Sequence, residues 1–206
     1  MLTGFEITEW YECNIKPYLI NRGKYPYGQP NVVSVNNELF ANNNVFRRCE
    51  IAYKPNSLYG VLFQPNYITY SVLGNINSVA ISFQFSGCYM AKIQARDLNY
   101  YACHIYSTGE YSSTDRKEFW HALYANNNFL SCTHFKPIVA NSNTDDIYKK
   151  LNSNRKEFIT CGIIDEHNKC FALLLKQDDL SVVSTGICCS KTYYAREMQP
   201  FSTNII

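Results

Sequence analysis

The sequence predicts an α+β fold: a compact, β-sandwich-like core of mostly antiparallel strands with a few flanking helices. Three observations carry the prediction. There are 17 Tyr and 12 Phe among 206 residues, and aromatic side chains favour the half-buried surface of a pleated sheet. Short runs of β-formers recur between Pro-Asn and Gly-Asn punctuation. One segment, 79–85, alternates strictly between apolar and polar positions. Hydrophobic residues make up 46%, enough for one domain, 1–206, with a sizeable core.

Residues 1–40 give the weakest pattern. Phe5 to Ile20 mixes apolar and polar residues around Pro17 without a clean period. Asn21 to Pro30 holds two prolines and two glycines and reads as loop. Val32 to Val35 reads as a short strand, and Asn42-Asn43-Asn44 as a turn. Strands are then expected at 45–53, 58–64 and 67–73, separated by Pro55-Asn56 and Pro65-Asn66 and closed by Gly74-Asn75. In the next strand Val79, Ile81, Phe83 and Phe85 fall on one face, with Ala80, Ser82 and Gln84 on the other. Ser86-Gly87 breaks it. Residues 89–94 and 100–106 form two more strands joined by 95–99.

The clearest helix follows. Ser113 or Thr114 caps it, Asp115 suits its first turn, and Phe119, Trp120, Leu123 and Tyr124 form one apolar face at i, i+4 spacing. Asn126-Asn127-Asn128 ends it. A strand over 135–140 and a short helix over 145–151, capped by Thr144, come next. Residues 158–164 and 169–176 read as a hairpin around Asp165-Glu166-His167-Asn168, and 180–189 as a last strand.

Charge and cysteine usage narrow the function classes. The net charge is +2. Arg47-Arg48 and Lys149-Lys150 are ordinary solvated pairs rather than a basic stripe, so no nucleic-acid partner is expected. No apolar run approaches the roughly 20 residues of a membrane-spanning helix, so no membrane partner is expected either. The segment Met1-Leu2-Thr3-Gly4-Phe5-Glu6 lacks the basic start and apolar run of a conventional secretory signal. The nine cysteines are odd in number and scattered, and most of them read as reduced, buried apolar residues in a reducing compartment.

Chemistry concentrates at 79–106. In Phe85-Ser86-Gly87-Cys88 a regular strand ends in small residues and a cysteine follows at once. Small residues at 86 and 87 let backbone N–H groups approach a substrate carbonyl, as an oxyanion site needs. A cysteine there is expected to be exposed at a strand end. His104 follows sixteen positions later. If 89–94 and 100–106 pair as a hairpin, a modest register offset leaves Cys88 and His104 within side-chain reach. An imidazole so placed takes the thiol proton. The same spacing also suits a buried cysteine beside a histidine hydrogen-bonded on a strand.

Phe85-Ser86-Gly87-Cys88, followed by an apolar strand and then His104, resembles the motif of glutamine deamidases of the cytotoxic necrotizing factor type, of dermonecrotic toxins and of chemoreceptor glutamine deamidases. The resemblance covers about 25 residues, Val79 to Tyr106. It implies a β-sandwich-like core flanked by helices and hydrolysis of a glutamine carboxamide on a protein substrate, sometimes with transfer to an amine. It implies Cys88 as thiolate nucleophile, His104 as acid and base, and Ser82, six positions before the cysteine, as the group that orients His104. Ser86 and Gly87 are expected to line the substrate. No metal and no cofactor are required. A monomer is expected, acting as a secreted toxin or effector in a host cytosol or as a cytoplasmic enzyme.

Four rivals stand beside this reading. Cys103 adjoins His104, but neighbouring side chains on a strand face opposite ways. Cys161, His167, Cys170 and Cys188-Cys189 could gather around zinc, yet Cys-x5-His-x2-Cys matches no common finger. Cys49 with His167-Asn168 has the separation of a papain-like peptidase but opens no helix. A non-catalytic binding or immunity-type module is the last. His121 and His134 read as surface residues.

Overall fold

The computed structural model describes residues 4–17, 46–48, 50–54, 57–65, 67–96, 98–106, 129–137 and 157–194. In chain order these form α1 (Gly4–Asn14), β1 (Phe46–Arg48), β2 (Glu50–Lys54), β3 (Leu58–Val61), β4 (Ile68–Leu73), β5 (Val79–Phe83) and β6 (Tyr89–Ala95). β7 (Tyr100–Ile105), β8 (Phe129–Phe135), β9 (Phe158–Ile164), β10 (Cys170–Lys176), β11 (Val182–Ile187) and β12 (Ser190–Tyr194) complete them.

The strands make two six-stranded sheets. The first runs β1-β4-β7-β6-β8-β12 and the second β11-β10-β9-β5-β3-β2. Among the described residues only β1–β4 and β3–β5 pair in parallel; the other pairings are antiparallel. This is the expected α+β sandwich.

Side-chain alternation sorts the core into layers. Val61, Ala80, Cys88, Met90, Ala102, Phe135 and Ile164 fill the space between the sheets. The outer face of the second sheet (Ile81, Phe83, Cys161, Ile163, Phe171, Leu173) packs against Ile7, Tyr11 and Ile15. The outer face of the first sheet holds a further buried cluster that includes Tyr70, Ile93, Tyr101 and Cys103.

Several expectations are corrected. The unplaced N-terminal segment is helical: Ile7, Tyr11 and Ile15 recur every four residues and form the buried stripe, and Tyr11 donates its hydroxyl proton to the Leu180 carbonyl at 3.2 Å. The run 45–53 holds two strands rather than one, β1 and β2, which join different sheets. The strand expected at 135–140 lies earlier, as β8, because Pro137 has no N–H for a ladder. His134 therefore sits half-buried in that strand, stacked on Tyr193 at 5.6 Å, and not in a surface loop. The run 180–189 is shorter than expected, and the chain then crosses from the edge of one sheet to the edge of the other as β12. The expected hairpins at 89–106 and 158–176 are β6–β7 and β9–β10. The helices expected at 113–125 and 145–151, the strand at 32–35, Cys49 and His121 lie outside the described residues.

Candidate functional site

Ser82 lies on β5 of the second sheet, His104 on β7 of the first, and Cys88 immediately before β6. In the β6–β7 hairpin Met90 stands opposite His104. Continuing that register places Cys88 opposite Tyr106, two positions from His104. Cys88, Met90 and His104 therefore share one face, the one turned toward the second sheet. Such diagonal neighbours have Cα atoms about 7–8 Å apart and β-carbons somewhat closer. Ser82 reaches the same place from β5 across the inter-sheet layer.

The hydrogen bonds fix the state of the imidazole. Ser82 Oγ donates to the Val61 carbonyl at 2.6 Å, which uses its only proton. The 2.8 Å contact between Ser82 Oγ and His104 Nδ1 must then be donated by Nδ1–H. Nε2 is left as a bare lone pair, buried and without a hydrogen-bond partner among the described residues. Phe85 stacks on the ring at 4.1 Å and 5°, and Phe63 leans on it at 5.1 Å. Burial among these rings lowers the pKa of His104 to about 3, because the charged imidazolium cannot be solvated there. The ring is neutral at rest, and Nε2 keeps a lone pair that can accept a hydrogen bond.

The turn into Cys88 departs from the expected pleat. Gln84 adopts φ 66°, which ends the alternation one residue early. Phe85 consequently leaves the face of Val79, Ile81 and Phe83 and enters the inter-sheet layer. Ser86 is exposed and does not share the face of Ser82. Cys88 is only 3% exposed, where an exposed strand end was expected; the inward turn tucks it among Phe85, Met90 and Tyr106. Gly87 is half-exposed, and a β-carbon there would meet nothing within 4 Å. Space for an incoming group thus lies over Ser86-Gly87 and not over the sulfur itself. Gly162, opposite Ser82 on β9, makes the stack possible: a β-carbon there would lie 2.7 Å from Pro137 Cγ, 3.0 Å from Phe85 Cε2 and 3.1 Å from Met90 Sδ.

The rival residues do not converge. Cys103 faces the outer cluster of the first sheet, and burial raises its pKa well above the ordinary thiol value. Cys161 and Cys170 lie on opposite faces of the second sheet. Burial pushes the Cys170 thiol up to about 12, and His167 is exposed in a turn. Among the described residues no three His, Cys, Asp or Glu side chains are placed to hold a metal, and no helix is long and apolar enough to cross a membrane.

Two buried polar residues escaped the sequence reading. Thr69 on β4 stands directly opposite His104 on its other side, fully buried, with Oγ1 unpartnered among the described residues. Only the strand register reveals it, since nothing marks it in a run of β-formers. Lys92 lies in the same layer beyond Met90. It donates to the carbonyls of Ile76, Ser78 and Asp165 at 3.1, 3.2 and 3.1 Å. Those bonds use all three ammonium protons, so Lys92 joins β6 to two turns of the second sheet and has no proton left to offer a substrate.

No family model, curated protein or solved structure matches the chain.

Proposed function

We propose that the protein is a cysteine-dependent amidohydrolase that deamidates a glutamine side chain on a protein substrate. One observation carries the reading: the Val61–Ser82–His104 chain holds the imidazole in the tautomer that leaves Nε2 a bare lone pair, on the face that Cys88 shares. Nε2 takes the Cys88 proton as sulfur attacks the carboxamide carbon. The C–N bond breaks, the proton passes to the departing amine, and ammonia leaves a thioester. Water then gives a proton to Nε2 and attacks the thioester. The C–S bond breaks, and Nε2 returns the proton to sulfur, leaving a glutamate side chain. With a neutral imidazole, deprotonation accompanies attack instead of preceding it. The resemblance at 79–106 supplies glutamine as the substrate and a host or cellular protein as its carrier, with the protein acting as an effector in a host cytosol or as a cytoplasmic enzyme.

The test is ammonia release and the Gln-to-Glu mass change in cell lysate treated with the wild-type protein, Cys88→Ser and His104→Asn. Loss of both signals in each variant, with unfolding curves still cooperative, is expected. Undiminished ammonia release by Cys88→Ser would end this reading.

The burial of Cys88 and His104 favours a second reading, in which the Ser82–His104 bond is a structural tie between the sheets of a binding module. Iodoacetamide separates the two. Selective alkylation of Cys88 among nine cysteines supports the enzyme; protection of Cys88 until global unfolding supports the tie.

A further inference from the structure

Thr69 and His104 stand opposite each other across β4–β7, and each carries a buried polar atom with no hydrogen-bond partner among the described residues. His104 Nε2 can only accept a hydrogen bond, given the tautomer fixed by Ser82. Thr69 Oγ1, on the residue directly opposite across β4–β7, can donate or accept. Residues opposite each other on one face of antiparallel strands have β-carbons about 4.5–5.5 Å apart. Each of the two residues is almost fully buried. Buried hydroxyl and imidazole groups ordinarily have partners. Two such sites on directly opposed residues suit one molecule that donates to nitrogen and bonds the hydroxyl, which is the pattern of a buried water.

We propose that Thr69 and His104 hold a water molecule between them, and that this water is the one that hydrolyses the acyl group from Cys88. The second step rests on the thiol mechanism above; the water site itself does not. Thr69 is then a positioning residue. Its hydroxyl holds the water oxygen while the water's proton points at Nε2. The C–O bond forms, the C–S bond breaks, and the water's proton passes through Nε2 to sulfur. This favours hydrolysis over transfer to an amine, because the water held by Thr69 is next to Nε2 as soon as ammonia has carried the thiol proton away. Cys88, just before β6, and Thr69, on β4, lie on opposite sides of β7, the strand that carries His104. One ring can therefore serve the thiol in the first half-reaction and the water in the second.

Thr69→Val removes the hydroxyl with little change of shape, and Thr69→Ser restores it. If water is present, Thr69→Val strips it of a partner, and the melting temperature falls by about 2–4 °C. If the hydroxyl is unpartnered, removing it raises the melting temperature. A rise overturns the water site whatever the protein catalyses. The catalytic role is read with p-nitrophenyl acetate on the full chain. Wild type is expected to give a burst of nitrophenolate, with acetyl on Cys88 in the intact mass spectrum. Thr69→Val is expected to give the same burst while its acetyl-Cys88 lives about tenfold longer, as for loss of one positioning hydrogen bond; Thr69→Ser is expected to recover. Unchanged acetyl lifetime in Thr69→Val overturns the hydrolytic role. A wild type without burst or acetyl-Cys88 overturns the thiol reading instead, and the melting temperature still decides the water site.

Discussion

Acidification should destabilise this protein through one histidine. His104 titrates at about 3 in the folded chain and near 6.5 when exposed. Between those values the unfolded chain binds a proton that the folded chain refuses. Unfolding free energy therefore falls as pH falls, with the full contribution present above about 6.5 and the loss complete near 3. Each pH unit inside the window is worth about 1.4 kcal/mol, so the step from 6.5 to 4.5 removes about 3 kcal/mol and the whole window about 5 kcal/mol. That is a large share of the roughly 5–15 kcal/mol of an ordinary domain. Urea unfolding, followed by tryptophan fluorescence at pH 7, 6, 5 and 4.5, measures it. His104→Asn is the control, because its amide N–H can still donate to Ser82 and it has no proton to gain. The wild-type free energy should fall more steeply than the variant's by about 1.4 kcal/mol per unit below pH 6. Subtracting the variant removes every other acid group. Parallel lines would show that His104 is protonated or solvated in the folded state, and the tautomer argument built on Ser82 would fail with it.

Ser82→Ala leaves His104 Nδ1–H buried without its acceptor, so stability should drop by about 1–3 kcal/mol in urea, and any Cys88-dependent ammonia release should fall with it. Phe63→Ala removes ring contacts to His104 and Tyr106, at 5.1 and 5.9 Å. Contacts of this kind are worth about 0.5–1.5 kcal/mol each, so peptide mass spectrometry should find iodoacetamide labelling of Cys88 faster by about tenfold. Gly162→Ala forces a β-carbon against Pro137 and the Phe85 ring, and a loss of about 1–3 kcal/mol should appear in the same unfolding assay. Lys92→Met strands three carbonyls in the core and should lower stability by about 3 kcal/mol or more, which thermal melting would show.

The hairpins, the sandwich and the shared face of Cys88 and His104 were legible because each rests on short-range alternation. Strand 89–94, a five-residue link and strand 100–106 leave little freedom of register, and the observed pairing lies two residues from direct opposition. What failed depended on single backbone angles or on long-range partners. Gln84 at φ 66° sends Phe85 across the sheet and buries Cys88, and a glutamine in a strand run announces no such turn. The N-terminal helix shows its stripe of Ile7, Tyr11 and Ile15 only once the sheet it covers is known. Thr69 and Val61 contribute to the site through register and a carbonyl, neither of which a side-chain motif records.

The arrangement also bears on why a histidine sits there at all. A tie between two sheets needs one donor facing Ser82, and a residue with no second polar atom would supply it without burying another. His104 instead carries Nε2 into a layer of Phe63, Phe85 and Met90, where an unsatisfied polar atom costs about 1–3 kcal/mol. Thr69 adds a second such atom beside it, where valine would pack as well. Two costs on directly opposed residues, on the sheet face that Cys88 also shares, are explained together by a molecule that both atoms bind. A structural tie explains Nδ1 and Ser82 but leaves Nε2 and Thr69 without a reason.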